Sequence, residues 1–229
     1  MSTAHEVGGD FYDYFWNADG MLWCVIGDVA DKGISAALSM ARCVSLIHVT
    51  ASHLGPDGRT RSPAQVMTLV NEELCRGNAT MTYVTAVIAR MDMESGELEW
   101  CNAGHNPPYL LHGPGSVEFL GTGHGKPLGV RRAITYQDER LALGSEDGLF
   151  LYTDGVVDAV DPRGEMFGEG RLDEVMGSNA FLPPRDLVEK VTAAVTAWLD
   201  GVPQPDDVTA LVVRRAVAVT AESARRLTA

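Results

Sequence analysis

The segment TYVTAVIARMDMESGELEWCNAGHNPPYLL, from Thr82 to Leu111, carries the clearest architectural signal in the chain. Its first half alternates apolar and polar residues, as a half-buried β-strand does, and a Glu-Ser-Gly turn at 94–96 leads into a second strand. This hairpin ends in Asn102-Ala-Gly-His-Asn-Pro-Pro, a loop whose backbone is restricted by glycine and proline. Because constrained loops with polar side chains often belong to functional sites, the sequence predicts a site at this end of the hairpin.

The composition limits the classes of protein to which the chain can belong. With 229 residues, of which 45% are hydrophobic, the chain is long enough for a domain with a substantial core. A formal charge of -13 argues against nucleic acids and anionic membranes as partners, because both require a basic face. The N-terminus lacks the basic and apolar regions of a signal peptide, and no run approaches ~18 consecutive apolar residues, so no membrane span is predicted.

The cysteine pattern indicates a reducing compartment. No two cysteines form a Cys-x-x-Cys pair, and three of the four lie in apolar runs. Buried free thiols are typical of cytoplasmic proteins, so we predict a cytoplasmic protein. The four residues are Cys24, Cys43, Cys75 and Cys101.

Periodicity on either side of the opening hairpin separates strands from helices. A first hairpin precedes two helices, strand signals then continue to Thr153, and two further helices precede a last strand. Clustered strands with segregated helices predict an α+β fold in which helices cover antiparallel sheets. The polar, basic tail from Ala218 to Ala229 is predicted to fray. The predicted elements are strands Phe11 to Phe15 and Met21 to Ile26, helices Ile34 to Leu54 and Pro63 to Arg76, helices Gly168 to Met176 and Pro184 to Asp200, and strand Val208 to Arg214.

Four aspartates occupy the ends of strands, next to glycine or another acid. They are Asp10 in VGGDFYD, Asp28 in VIGDVADKG, Asp154 in LFLYTDGVVDA and Asp206 in PQPDDVTALVV. An ionised carboxylate at the end of a buried strand costs free energy unless a cation compensates it. Several aspartates together favour a hard divalent ion such as Mg²⁺ or Mn²⁺, although any single one of them could be an ordinary turn residue.

Seven motifs together resemble the PPM family of metal-dependent protein serine/threonine phosphatases, in its bacterial SpoIIE/RsbU-like branch. The resemblance implies an αββα sandwich, in which two antiparallel sheets face each other and a helix pair flanks each sheet. It also implies a single phosphatase domain over residues 1–217, followed by a flexible tail at 218–229. The motifs keep the family order from Val7 to Val213 and read VGGDFYD, GDVADKGISAALSM, NAGHNPPYLL, GKPLGV, LYTDGVVDA, FGEGRL and DDVTALVV.

The same resemblance implies a centre of two Mn²⁺ or Mg²⁺ ions, with a third ion as an option, at one edge of the sandwich. By motif, Asp28 bridges the two ions and the carbonyl oxygen of Val29 is a further ligand. Asp154 and Asp206 hold one ion, and Asp10 acts on the other through water. A hydroxide activated by the metal would attack the phosphorus in line, without a phosphoenzyme intermediate.

Five further residues are candidates for a supporting or substrate-binding role: Asp13, Lys32, Asn102, His105 and Asp207. We expect Asn102 and His105 to fix the loop by hydrogen bonds, while substrate or proton handling and metal ligation remain alternatives for His105. Asp207 is a candidate assistant to its neighbour Asp206, and Asp13 is expected to be structural or to support the ligands.

The resemblance implies that the chain removes phosphate from phosphoserine or phosphothreonine. It suggests as substrate a STAS-domain anti-anti-sigma factor in a bacterial partner-switching circuit, with an upstream sensor or activator. Two alternatives stay open: a catalytically silent phosphatase-like binding module, and a metal-dependent phosphoesterase of small molecules. The family domain usually begins about one strand before VGGD; six residues precede Val7 here, so the first edge strand is expected to be missing or replaced.

Overall fold

A computed structural model describes residues 8–30, 33–55, 57–76, 78, 82–113, 115–121, 125–204 and 206–216. Four layers follow one another: a helix pair, a five-stranded antiparallel sheet, a four-stranded antiparallel sheet and a second helix pair. The αββα sandwich predicted from the resemblance is confirmed. Lys32 and the segments 1–7 and 217–229 lie outside the described residues, so the predicted domain limits and tail stay predictions.

The opening hairpin forms the centre of the first sheet. Its strands β3 and β4 pair in the order β1-β2-β3-β4-β7, and the second sheet has the order β6-β5-β8-β9. Alternate side chains of each strand point to opposite faces, so each sheet packs on the other sheet and on its own helices. The strands are β1 Phe11–Trp16, β2 Leu22–Val29, β3 Val84–Met91, β4 Glu97–Ala103, β5 Tyr109–His112, β6 Ser116–Phe119, β7 Glu139–Ala142, β8 Gly148–Tyr152 and β9 Ala210–Arg214.

Four helices cover the two outer faces. They are α1 Ile34–Ser52, α2 Pro63–Leu74, α3 Gly168–Asn179 and α4 Pro184–Leu199. The predicted N-terminus of α2 is confirmed, because Ser62 and Gln65 form a capping box and Pro63 is the first helical residue. By length and composition alone α1 could cross a membrane. Its buried side chains, Ala36, Cys43, Ile47 and Ala51, belong to the first core cluster.

Three hydrophobic clusters fill the spaces between the layers. The first lies between α1, α2 and the five-stranded sheet, the second between α3, α4 and the four-stranded sheet, and the third between the sheets. Cys24, Cys43 and Cys101 are buried in these clusters, and burial raises the pKa of each thiol to about 12. Cys75 is half-buried at the end of α2, and all four thiols are free, as predicted.

The structure corrects two strand limits that matter for the site. Strand β2 does not end at Ile26 but continues to Val29, because Asp28 and Val29 pair with Thr85 and Val84 of β3. The last strand begins at Ala210 and not at Val208, since Val208 forms only an isolated position before the ladder with β8 begins. Asp28 therefore lies inside a strand that β3 supports, and not in a turn.

Candidate active site

The four predicted aspartates meet at one end of the sandwich, where strand ends of both sheets come together. Asp28 is on β2 and its neighbour Asp10 directly precedes β1, whose first residue pairs with Gly27. Asp154 opens a short 3₁₀ turn after β8, and Asp206 lies shortly before β9. The fold thus brings together residues that are up to 196 positions apart in the sequence, counting from Asp10 to Asp206.

Burial and mutual repulsion dominate the electrostatics of this cluster. Burial, reinforced by the charges of Asp10, Asp154 and Asp206, raises the pKa of Asp28 to about 8. Burial also raises the pKa of Asp10 to about 7; a hydrogen bond from Thr153 opposes this shift. Since the ordinary value is 3.8 for both groups, their ionised forms are unfavourable at neutral pH without a compensating positive charge.

Without divalent ions, we expect the protein to lose stability as the pH rises. The pKa values of Asp10 and Asp28 in the folded state, about 7 and about 8, lie above the 3.8 of the unfolded chain, so the folded state holds these protons more tightly. The free energy of unfolding therefore falls between about pH 4 and about pH 8 through these two groups. Urea denaturation with chelator across this range, for wild type and Asp28→Asn, measures the effect. Parallel curves for the two proteins would contradict it.

Thr153 is a site residue that the sequence analysis missed. Its hydroxyl is fully buried and donates a 2.7 Å hydrogen bond to Oδ2 of Asp10, which joins the two sheets at the cluster. The hydroxyl oxygen of Thr153 also accepts a 3.0 Å hydrogen bond from the backbone N–H of Thr209. Its position directly before Asp154 in LYTDG was the available signal, but a threonine at the end of a strand is too common to stand out.

Asp207 is buried and holds the N-terminal glycines against the cluster. Its Oδ2 accepts a 2.9 Å hydrogen bond from the N–H of Gly9, and a Cβ on Gly8 would lie 2.0 Å from the same oxygen. The backbone N–H of Asp207 in turn donates a 2.9 Å hydrogen bond to Oδ1 of Asp206. Asp207 therefore positions the strand ends that carry Asp10 and Asp206.

The loop NAGHNPP closes on itself beside the cluster. Oδ1 of Asn102 accepts from the N–H of His105 at 2.8 Å, and its Nδ2 donates to the carbonyl oxygen of His105 at 2.9 Å. Nδ1 of His105 lies 2.8 Å from the hydroxyl of Thr85, the residue that pairs with Asp28. Burial lowers the pKa of His105 to about 4, so its ring is neutral at physiological pH. These contacts place His105 as a support behind β3.

Asp13 lies away from the cluster, whereas Asp158 lies close enough to Asp206 to feel its charge. Asp13 is on the face of β1 that packs on α1, where its Oδ2 lies 3.3 Å from Nδ1 of His48, so the structure does not bring it to the site. Asp158 follows the 3₁₀ turn, and its pKa is raised by partial burial and then by the charge of Asp206. The acidic cluster therefore extends towards Asp158 and away from Asp13.

Replacing Asp13 tests this placement. We expect Asp13→Asn to leave phosphatase activity within about twofold of wild type, because only an exposed contact with His48 is lost. Steady-state hydrolysis of an aryl phosphate, with the melting temperature recorded in parallel, checks this result. A loss comparable to that of a change in the cluster would place Asp13 in the site after all.

The carboxylate oxygens of the cluster are donors that suit a divalent cation, but they are not arranged as a preformed coordination shell. Its donors are carboxylate oxygens, which hard ions such as Mg²⁺ and Mn²⁺ prefer, and their repulsion requires positive charge. Within the part of the chain that the structure describes, no group of three or more His, Cys, Asp or Glu side chains has the arrangement of a preformed metal site. The individual ligand assignments therefore remain predictions.

Comparisons with known proteins agree with this geometry. The family model of stage II sporulation protein E (SpoIIE) matches residues 18–216. Protein IcfG of Synechocystis sp. is 31% identical over 94% of this chain and 37% of its own length. Phosphoserine phosphatase RsbP of Bacillus subtilis is 25% identical over 90% of this chain and 49% of its own length. The chain thus spans half or less of these relatives.

Solved structures share the fold. The SiaA-PP2C domain of Pseudomonas aeruginosa matches with a TM-score of 0.80 at 23% identity, over 93% of this chain and 83% of that one. RsbX, solved in complex with magnesium, matches with a TM-score of 0.66 at 16% identity, over 93% of this chain and 91% of that one. RsbP is named as a phosphoserine phosphatase, and the SiaA domain is named as a PP2C domain. The resemblance in the sequence is confirmed: the chain belongs to the SpoIIE family of PPM-type phosphatases.

Proposed function

We propose that this chain is a protein phosphatase that hydrolyses phosphoserine or phosphothreonine with two Mn²⁺ or Mg²⁺ ions. The observation that carries the proposal is the convergence of Asp10, Asp28, Asp154 and Asp206, where burial, reinforced by the other three charges, raises the pKa of Asp28 to about 8. Such crowding of carboxylates costs stability, and a structural role alone would not require it. A binding module that has lost turnover would have no need to keep it.

The proposed ligands follow the carboxylate positions. Asp28 would help to hold both ions, and the carbonyl oxygen of Val29 would add a ligand from the end of β2. Asp154 and Asp206 would hold one ion from the second sheet, while Asp10 would act on the other through water. When bound, the ions supply positive charge that stabilises the phosphoryl group and favours deprotonation of the attacking water.

The protein's own residues fix this arrangement before substrate binds. The hydroxyl of Thr153 orients one oxygen of Asp10, and β3 supports Asp28 through its backbone pairing. His105 stays neutral and braces Thr85, so it neither competes for the substrate phosphate nor adds a charge. Positioning of this kind matters because phosphoryl transfer depends on alignment and electrostatics more than on covalent chemistry.

The proposed substrate is a phosphorylated STAS-domain anti-anti-sigma factor in a bacterial partner-switching pathway in the cytoplasm. Support comes from the relatives: RsbP is named as a phosphoserine phosphatase, and SpoIIE gives the family its name. An upstream sensor or activator is part of the proposal, since the chain matches only part of each relative.

Hydrolysis of an aryl phosphate and of a phosphorylated STAS-domain protein tests the proposal. We expect turnover of both with Mn²⁺ and none with excess chelator. Turnover of free nucleotides but not of phosphoproteins would instead identify a small-molecule phosphoesterase. A folded protein that binds the STAS protein but hydrolyses neither substrate at millimolar Mn²⁺ would be a silent binding module.

A further inference from the structure

A basic pocket lies at the same end of the five-stranded sheet as the carboxylate cluster. It encloses about 470 Å³ between the end of α2, the start of β3 and the loop 129–132 that follows Leu128. Tyr83, Arg131 and Arg132 line it, together with Cys75 and Asn78. The chain has a net charge of -13, yet two neighbouring arginines make one wall of this pocket positively charged. The proposed catalytic arrangement does not use these arginines.

The loop that carries the arginines is fixed from beneath. Asn71 is fully buried, and its side chain accepts from the N–H of Gly129 and donates to the carbonyl oxygen of Arg131, both at 2.9 Å. Nδ2 of Asn78 donates to the carbonyl oxygen of Gly129 at 3.0 Å, and Gly129 has a positive φ of 85° that favours glycine. Such support presents the two arginines from a held backbone and not from a free loop.

Tyr83 lies between the pocket and the part of β3 that pairs with Asp28. The N–H of Ala30 donates to the carbonyl oxygen of Tyr83 at 2.9 Å, so the β2–β3 ladder continues one step beyond β3. Tyr83 precedes Thr85, the partner of Asp28, by two residues, so its backbone lies about 7 Å along the chain from that pair. Its ring is 41% exposed, so a bound chain can contact it.

The two guanidinium groups are available to a ligand. Arg131 and Arg132 are exposed, and neither makes an ion pair or a side-chain hydrogen bond with another described residue. Other exposed arginines of the protein do have such partners: Arg163 pairs with Asp161, and Arg185 pairs with Glu189. Two adjacent guanidinium groups match the geometry of carboxylates, which they bind with paired N–H donors.

We propose that this pocket recognises acidic side chains of the phosphoprotein substrate, at about three residues from the phosphorylated position. About two extended residues, at about 3.3 Å each, reach a pocket that begins about 7 Å from Asp28, so the third residue is the first whose side chain lies inside it. Arg131 and Arg132 are then specificity determinants, with Tyr83 as the contact surface between the pocket and the cluster. This inference rests on the proposed function for turnover, but acidic-peptide binding by the pocket does not require turnover.

Two phosphoserine peptides of equal length test it, one with Glu and one with Gln three residues from the phosphoserine on each side. We expect Arg131→Gln with Arg132→Gln to lower kcat/KM for the Glu peptide about five- to tenfold, mainly through KM. The Gln peptide and an aryl phosphate should change less than about twofold. The pair Arg131→Lys with Arg132→Lys should retain only part of the preference, because Lys keeps the charge but lacks the paired donors. Arg185→Gln with Lys190→Gln, which removes two charges on α4, should leave it intact.

Anisotropy of fluorescein-labelled peptides separates this inference from the proposed function. We expect the Glu peptide to bind wild type more tightly than the Gln peptide, with a difference that salt and the double Gln variant abolish. If wild type shows this binding preference but hydrolyses neither peptide, the proposed function is contradicted and the assignment of the pocket is supported. Equal losses for both peptides, or no binding preference in wild type, would overturn the pocket assignment.

Discussion

Asp28→Asn is expected to reduce phosphatase activity by about 10³-fold or more, the size of loss that follows removal of a preorganised electrostatic group. Asn keeps the shape of the side chain and the strand pairing with Thr85, but it removes the charge that holds the proposed ions. The free protein should meanwhile become more stable, because burial and the charges of the neighbouring aspartates disfavour the ionised form of Asp28, whose pKa is about 8. A less active but more stable enzyme is a combination that misfolding cannot produce.

Aryl phosphate hydrolysis with Mn²⁺ measures the first effect, and melting temperature in chelator measures the second. Asp200→Asn is the matched control, because Asp200 has the left-handed conformation that Asn tolerates well and lies at the end of α4. We expect the control to change neither quantity beyond experimental error. An active Asp28→Asn enzyme would exclude Asp28 as a ligand, and a destabilised one would show that the repulsion has been assigned to the wrong residue.

Gly155→Ala is expected to cost about 3 kcal/mol of stability, at the upper end of overpacking effects. A Cβ at this position would lie 1.9 Å from the carbonyl oxygen of Asp207, and backbone cannot rotate away as a side chain can. The loop that carries Asp206 and Asp207 must therefore move. For a domain of this size such a loss lowers the melting temperature by roughly 6–12 °C, and activity should fall as well because Asp154 and Asp206 no longer face each other correctly.

Two comparison variants make this result specific. Gly170→Ala on α3 meets no atom within 4 Å and should be neutral or stabilising by about 0.5 kcal/mol. Gly8→Ala also meets Asp207, but at a side-chain oxygen that can move, so it should cost less than Gly155→Ala. Thermal melts and hydrolysis rates of the three variants rank their losses of stability and activity, and the largest loss is expected for Gly155→Ala. A Gly155→Ala protein as stable as Gly170→Ala would contradict the close packing at the Asp206 loop.

The sequence predicted the layers well, because their signals are local. The Glu-Ser-Gly turn marks the β3–β4 hairpin, and the Ser62-Pro63 pair marks the start of α2. The limits of β2 were less accurate, since Gly27 and Asp28 look like a turn when read alone. Only the neighbouring strand β3, which begins 56 residues after Asp28 at Val84, holds them in an extended conformation. Local propensity carries no information about such a partner.

For the candidate site too, the sequence predicted the residues with local signals and missed the roles that depend on long-range contacts. Acids at strand ends next to glycine were visible in the sequence, and Asp10, Asp28, Asp154 and Asp206 do converge. Thr153 was missed because its importance lies in a hydrogen bond to a residue 143 positions away. Asp13 was retained as a candidate because it is close to Asp10 in sequence, yet strand alternation turns it towards α1. Roles that depend on long-range contacts thus required the structure.

The burial of three cysteines has a practical consequence for measuring binding. Cys24, Cys43 and Cys101 are enclosed in the cores, where their high pKa values keep the reactive thiolate form rare. Cys75 is only half-buried and lines the same cavity as Arg132. A thiol-directed fluorophore would therefore attach at this one position in the native protein. Its emission would report in real time when a peptide enters the basic pocket, without any engineered residue.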